Sequence, residues 1–361
     1  MLVLTVRLHI LLVYWCMFAV PALSAILSGT RASVRPNPGI SLALLLTAFM
    51  LLVGLRYEVG GDWFTYEEII QYIEDESLTE SMKYGDVGFT FISWLSTRAG
   101  LGTLGPSMLC GAILMYGLWR FSKRLPDPWL VVAAAVPYLI IVVGMGYVRQ
   151  SAAIGFVLIA LIAFEERSLG RFSFWMIMGV LFHVSALCIM PVVAFVIVRK
   201  WPAGLVPLGI LTVPLYYLLL RPRLDRFYEN YVVAEYDSSG AFIRLAMNAV
   251  PAVLFFIYRN RYALDDRGRA LWTTMSVLAL ALVVLVVVSP ATTAIDRVGL
   301  YCIPLQLFVF GTLISVLGRT RELHRLLTFA ALGYYAAVLF TWLNYATHAE
   351  YWLPYRTVIF G

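Results

Sequence analysis

The sequence is poor in charge: only 13% of its 361 residues are Asp, Glu, Lys or Arg. Soluble domains carry roughly 25%, so water is excluded as the main solvent of this fold. Cysteine and histidine are scarce too, with four of each. Cys16, Cys110, Cys188 and Cys302 all fall inside apolar runs. That placement suits small buried hydrophobes and speaks against a disulfide framework or a cysteine-bound metal cluster. The net charge of +6 is modest and scattered over short loops. It disfavours a nucleic-acid partner and fits attraction to anionic lipid headgroups. Internal repeats and low-complexity segments are lacking as well.

What the chain has is apolar length. Hydrophobic residues make up 61% of it, and the mean hydropathy is +0.83. A helix needs about 20 mostly apolar residues to cross a bilayer core. Suitable runs lie at 10–28, 40–56, 104–121, 129–147, 150–165, 204–220, 243–258, 270–289, 298–317 and 326–345. The stretch 172–198 reads either as one long span or as two short ones meeting near His183. These runs predict an all-α polytopic membrane protein, a single transmembrane domain over residues 1–361 with about 11 to 12 transmembrane helices. The first run is read as a span and not as a signal peptide, although Arg7 and His9 precede it and Ala22-Leu23-Ser24 resembles a cleavage site.

Basic residues set the expected orientation. Clusters at Arg31/Arg35, Arg120/Lys123/Arg124, Arg167/Arg171, Arg199/Lys200, Arg259/Arg261/Arg267/Arg269 and Arg319/Arg321/Arg325 are assigned to the cytoplasm. One topology places all six there. It requires an external N-terminus, a break at His183, and residues 87–100 dipping into the outer face without crossing. The outer surface then includes the loops 57–103 and 221–242. Within the first, Trp63, Tyr66, Ile69, Ile70 and Ile73 have helical spacing and predict an amphipathic helix lying on the membrane surface.

Polar residues at this boundary are the candidates for chemistry. Arg149 sits between two apolar runs in Gly146-Tyr147-Val148-Arg149-Gln150-Ser151, with almost no loop in which it could be solvated. A charge at the centre of a membrane helix costs roughly 2.5 kcal/mol or more on insertion scales, which favours function over a snorkelling anchor. Arg297 starts another span beside Asp296, with Tyr301 one helical turn on. An Asp296–Arg297 ion pair is the bland alternative there. His183 reads as a packing histidine unless its place at the outer apex lets a neutral imidazole act as a base. The densest constellation is Arg56-Tyr57-Glu58-Val59-Gly60-Gly61-Asp62, followed by Tyr66, where Asp62 is either a helix cap or a functional carboxylate. Glu74-Asp75-Glu76 reads as a solvated acidic face and not a metal site. Arg221, Arg223, Arg226 and Arg244 frame a loop with Tyr228, Tyr231 and Tyr236, a composition suited to phosphate and sugar rings.

Taken in order, these residues resemble the EpsG family of Wzy-type polysaccharide polymerases. The similar features are Arg56 with Gly60-Gly61-Asp62 and Tyr66, Asp86-Val87-Gly88-Phe89, Arg149-Gln150 with Ala153, His183, Arg297 with Tyr301, and Pro354-Tyr355. Asp86 stands where the family pattern has glutamate, so it receives no catalytic role. The resemblance implies a GT-C-like fold in the bacterial plasma membrane, with the active site facing the periplasm or exterior. It implies a metal-independent glycosyltransferase that joins oligosaccharide repeat units carried on undecaprenyl diphosphate, without a nucleotide-sugar donor or any other cofactor. The partners expected are that lipid-linked oligosaccharide, membrane lipids and, as a further candidate, a chain-length regulator. In this scheme Arg149 and Arg297 hold the diphosphate with Arg56 or Arg244 assisting, and Asp62 or His183 takes the proton. Glu58, Tyr66, Tyr301 and Tyr355 are the remaining substrate-binding candidates. A flippase for the same lipid, or a ligase moving finished glycan, would use similar charges.

Overall fold

The computed structural model describes residues 2–28, 39–83, 85–200, 202–221 and 240–359. Among them the only β pairing is an isolated bridge between Arg56 and Thr357. The helices are α1 (Leu2–Ser28), α2 (Gly39–Gly54), α3 (Trp63–Glu74), α4 (Leu78–Ser81), α5 (Val87–Arg98), α6 (Leu104–Ser122), α7 (Pro128–Ala135), α8 (Val148–Glu165), α9 (Leu169–Phe182), α10 (Ile189–Lys200), α11 (Leu205–Leu215), α12 (Ala241–Tyr258), α13 (Asp266–Val288), α14 (Thr292–Gly299), α15 (Ile303–Leu317) and α16 (Arg321–Tyr345). Among the described residues six stretches are long and apolar enough to cross a membrane: Leu11–Ser28, Val148–Glu165, Ala241–Arg261, Asp266–Val288, Thr292–Leu317 and Arg321–Tyr345. Shorter apolar helices accompany them. The chain is a multi-pass helical membrane protein, as its apolar runs predict.

The core is built around α8, which is buried along almost its whole length and packs against α6 and α9. A helix apolar on every side has no face to offer water, so burial all round is its stable place. Small residues bring the backbones together. A Cβ on Gly117 of α6 would strike the carbonyl of Gly155 on α8, so only glycine allows this crossing.

Two departures from regular helix shape the region near Arg149. Residues Val136–Gly144 continue α7 as a π-helix, a form that often marks functional positions. Trp352, from the chain's last turn, donates its indole N–H to the Ile141 carbonyl of that segment at 3.0 Å. The second departure is at His183, where α9 stops and a 3-10 turn, Val184–Cys188, leads into α10. The break expected from the charge pattern is therefore present. His183 makes it by accepting the Ser185 N–H on Nδ1.

The expected amphipathic helix is α3. Its Trp63, Tyr66, Ile70 and Ile73 are buried, while Glu68, Glu74 and Asp75 are exposed. Asp62 occupies the N-cap position but makes no capping hydrogen bond, which corrects the capping reading of that residue. At the other end Arg98 donates to the carbonyls of Glu74 and Glu76, where a cation suits the negative end of the helix. Among the described residues no group of three or more His, Cys, Asp or Glu side chains could hold a metal ion.

The tail forms a strap over α2 and the loop that follows it. Tyr57 and Val358 donate backbone hydrogen bonds to Arg356 and Leu55, and Gly60 donates to Tyr351. Gly60 has φ +110°, and a Cβ there would run into the Met145 carbonyl. Glycine at this place lets the Asp62 loop lie against the turn that carries Arg149.

Candidate functional site

One end of the bundle gathers the polar side chains that sequence spacing leaves far apart. Arg149, in the first turn of α8, reaches Asp86 at the start of α5, with Nη1 3.3 Å from Oδ2. Asp86 is buried and Arg149 about one quarter exposed. The guanidinium lies over the Tyr66 and Phe89 rings at 5.7 and 5.8 Å, and its Nε is buried without a hydrogen-bond partner. A desolvated, aromatic-flanked arginine of this kind is costly unless something ionic completes it.

Asp62 is half-buried beside this pair and accepts a hydrogen bond from the Tyr66 hydroxyl at 3.3 Å. Burial raises its carboxyl above the ordinary value, while Arg297 and Arg149 pull it back down, as does the Tyr66 hydroxyl. Burial, and after it the Asp62 charge, hold the Tyr66 phenol well above its own usual range. Asp62 therefore lies within electrostatic reach of arginines from two different helices.

The second arginine enters from α14. Arg297 donates to Gln150 Oε1 at 2.9 Å and stacks on the Tyr147 ring at 4.1 Å. Asp296 pairs with Arg244 of α12, both carboxylate oxygens accepting at 2.9 Å, a two-pronged fit. The Asp296–Arg297 neighbour pair considered from sequence is thus replaced by a link between helices as the partner of Asp296. Below Arg297, the buried Tyr301 hydroxyl accepts from Ser185 Oγ at 2.9 Å, and Ser185 Oγ lies 2.6 Å from His183 Nδ1. His183, Ser185 and Tyr301 form one chain, which the sequence separates by more than a hundred residues.

The other expected residues are engaged elsewhere. Arg56 is fully buried, donates to the Val59 and Val53 carbonyls at 2.9 and 2.6 Å, and lies over Trp63. Glu58 turns outward to Arg356 at 2.5 Å, and the Tyr355 hydroxyl donates to the Leu52 carbonyl at 2.8 Å. Glu58 and Tyr355 hold the strap against α2 and the loop after it, and Arg56 joins it through its backbone bridge to Thr357. Arg31, Arg35, Arg223, Arg226, Tyr228, Tyr231 and Tyr236 lie outside the described residues.

Four contributors escaped the sequence reading as site residues: Asp86, Tyr147, Gln150 and Ser185. For the last three the signal was adjacency. Tyr147 and Gln150 flank the Arg149 turn, and Ser185 follows His183 by two positions.

Arginines from three helices meet buried and half-buried carboxylates at one end of a multi-pass helical bundle, an arrangement with the chemistry to receive an anionic group. Residues 40–357 match the EpsG family, and the chain belongs to it. The family's members are Wzy-type polymerases, which makes this a polysaccharide-polymerase-type, glycosyltransferase-like membrane protein. No curated protein and no solved structure matches the chain significantly.

Proposed function

We propose that the protein polymerises oligosaccharide repeat units carried on undecaprenyl diphosphate, at the outer face of the bacterial plasma membrane. The observation that carries the reading is the meeting of Asp62 with Arg149 and Arg297 beside the buried Asp86. An acceptor sugar hydroxyl must lose a proton as it attacks the anomeric carbon of the donor glycan. The anomeric carbon–oxygen bond breaks, and the diphosphate leaves with added negative charge. Arg149 and Arg297 stand where that charge would be met by fixed donors, and they need no metal for the purpose.

Asp62 is the better base of the two candidates. Its carboxylate is half-buried and its pKa is raised, which brings it nearer to working pH. His183 has Nδ1 engaged by the Ser185 N–H and close to Ser185 Oγ. It acts as a positioning residue, fixing Tyr301 through Ser185 beneath Arg297. Arg244 orients Asp296 and supplies a further cation at the rim.

The architecture proposed is GT-C-like with about 11 to 12 crossings, and the site end faces outward. In support, 16 of the 27 basic residues fall in the six clusters assigned to the cytoplasm, and the acids concentrate in the other loops. Impermeant labelling of a cysteine placed at Asp75 should succeed in intact, outer-permeabilised cells, and protection there would reverse the orientation. The activity itself is tested by incubating purified protein with defined lipid-linked repeat units, with and without EDTA. A ladder of longer glycans in both arms is expected. Loss of the ladder only with chelator would replace the arginine mechanism by a metal-dependent one, and its absence in both would remove the polymerase reading.

A further inference from the structure

Beside the site, a cavity of about 550 Å³ lies between α12 and α16 with Tyr138 and Val142 of the π-helix at its back. Its walls are mainly apolar. Met247 and Val250 line it from α12, and a single stripe from Tyr334 through Val338 to Tyr345 lines it from α16. Eleven helical steps span about 16 Å, so the cleft runs for about that length along α16. Val250 and Tyr345 are both exposed, which leaves the cleft open sideways to lipid.

The one charged side chain of the lining, Arg244, lies at the end of the cleft next to the site, while Tyr334 and Thr341 are polar members of the α16 wall. Arg244 and Tyr147 both line it, and these are the residues that contact Asp296 and Arg297. The cationic site and the apolar cleft are therefore one continuous surface. We infer that the α12–α16 cleft holds the proximal isoprenoid chain of the lipid-linked donor, with its diphosphate at the Arg244–Arg297 end. The inference rests on the donor chemistry proposed above. It adds a location for the chain and a route by which the lipid leaves: sideways between α12 and α16 into the bilayer, without crossing the aqueous face.

An ordinary phospholipid tail would also satisfy an apolar cleft. The isoprenoid is favoured because the Arg244 end of the cleft coincides with the charges of the site. With the donor proposed above, the ligand is anchored there by a diphosphate, whereas a glycerophospholipid carries one phosphate with a two-chain glycerol behind it.

The test needs no sugar. Purified full-length protein is irradiated with a farnesyl diphosphate analogue carrying a benzophenone on its chain, and the labelled peptides are mapped. Labelling of α12 and α16, suppressed by undecaprenyl diphosphate and not by phosphatidylglycerol, is the expected result. Labelling of other helices, or equal suppression by phosphatidylglycerol, would overturn the inference. In a second arm Val338→Trp fills the cleft, and labelling should fall about tenfold, the equivalent of 1.4 kcal/mol of lost binding. Phe329→Trp, on the same helix but away from the cleft, should label as wild type, and equal labelling of both variants would contradict the assignment. The two levels separate cleanly. Labelled cleft peptides without glycan elongation would sink the polymerase reading and leave the cleft standing, and elongation with label elsewhere would do the reverse.

Discussion

The two ends of the bundle use the same residue types to different effect. At the basic end Arg124 and Arg171 both pair with Glu166, and Arg167 pairs with Asp265. Those side chains are about one third to two thirds exposed, and Arg269 adds hydrogen bonds to the Arg259 and Leu264 carbonyls. At the site end the Arg149–Asp86 and Arg244–Asp296 pairs are about one quarter exposed or less. Exposed pairs contribute about 0.2–1 kcal/mol and tie loops together. Charges drawn into an apolar frame cost far more to place, and their retention points to work done on a ligand. The exposed Glu58–Arg356 pair at the site end belongs with the basic-end pairs, so burial, not the presence of an ion pair, marks the site.

Substitutions that test this contrast should scale with closeness to the proposed proton transfer and leaving group. Asp62→Asn removes the proposed base and should lower polymerisation by about 100- to 10,000-fold in a single-turnover assay. The acid limb of the wild-type pH–rate profile should lie above the ordinary carboxylate range, because burial raises the Asp62 carboxyl and protonation removes the base. An acid limb at or below that range would pass the role to another group. Asp86→Asn loses the charged partner of Arg149. Hydrogen bonds to charged groups are worth about 1.5–3 kcal/mol, so a 10- to 100-fold fall in kcat/KM is expected, and Asp86→Glu should recover most of it. Tyr301→Phe removes one neutral acceptor for Ser185 and should cost about fivefold, with a larger loss pointing to a direct part in proton transfer. Glu166→Gln at the basic end should change stability by no more than about 1 kcal/mol and leave the rate alone. A rate loss there would erase the distinction between the ends.

The helices were legible because apolar runs of spanning length leave the backbone few alternatives in lipid. The α3 face and the break at His183 were legible too, one from periodicity and the other from the charges that required it. What escaped has a common physical cause. The π-helix has no periodic signature, and Trp352 contacts it from 211 residues away. Arg244 and Asp296 are 52 positions apart, so only the packing of α12 against α14 could reveal that pair over the adjacent Asp296–Arg297. Asp86 was set aside for its chemistry relative to a family pattern, whereas its position against Arg149 makes it part of the site. Arg56 shows the converse: its sequence position gives no sign that Val53, Val59 and Trp63 hold it, with Nη2 left buried and without a hydrogen-bond partner.

The most direct test compares one conservative change at each end. Arg149→Lys and Arg124→Lys both keep the charge and lose the planar fork. With matched membrane levels and a ladder assay, Arg149→Lys should slow elongation by about 100- to 1000-fold, as expected when a fixed donor to a developing oxyanion is lost, while Arg124→Lys elongates at the wild-type rate. Wild-type elongation by Arg149→Lys would make that arginine a membrane anchor and contradict the account.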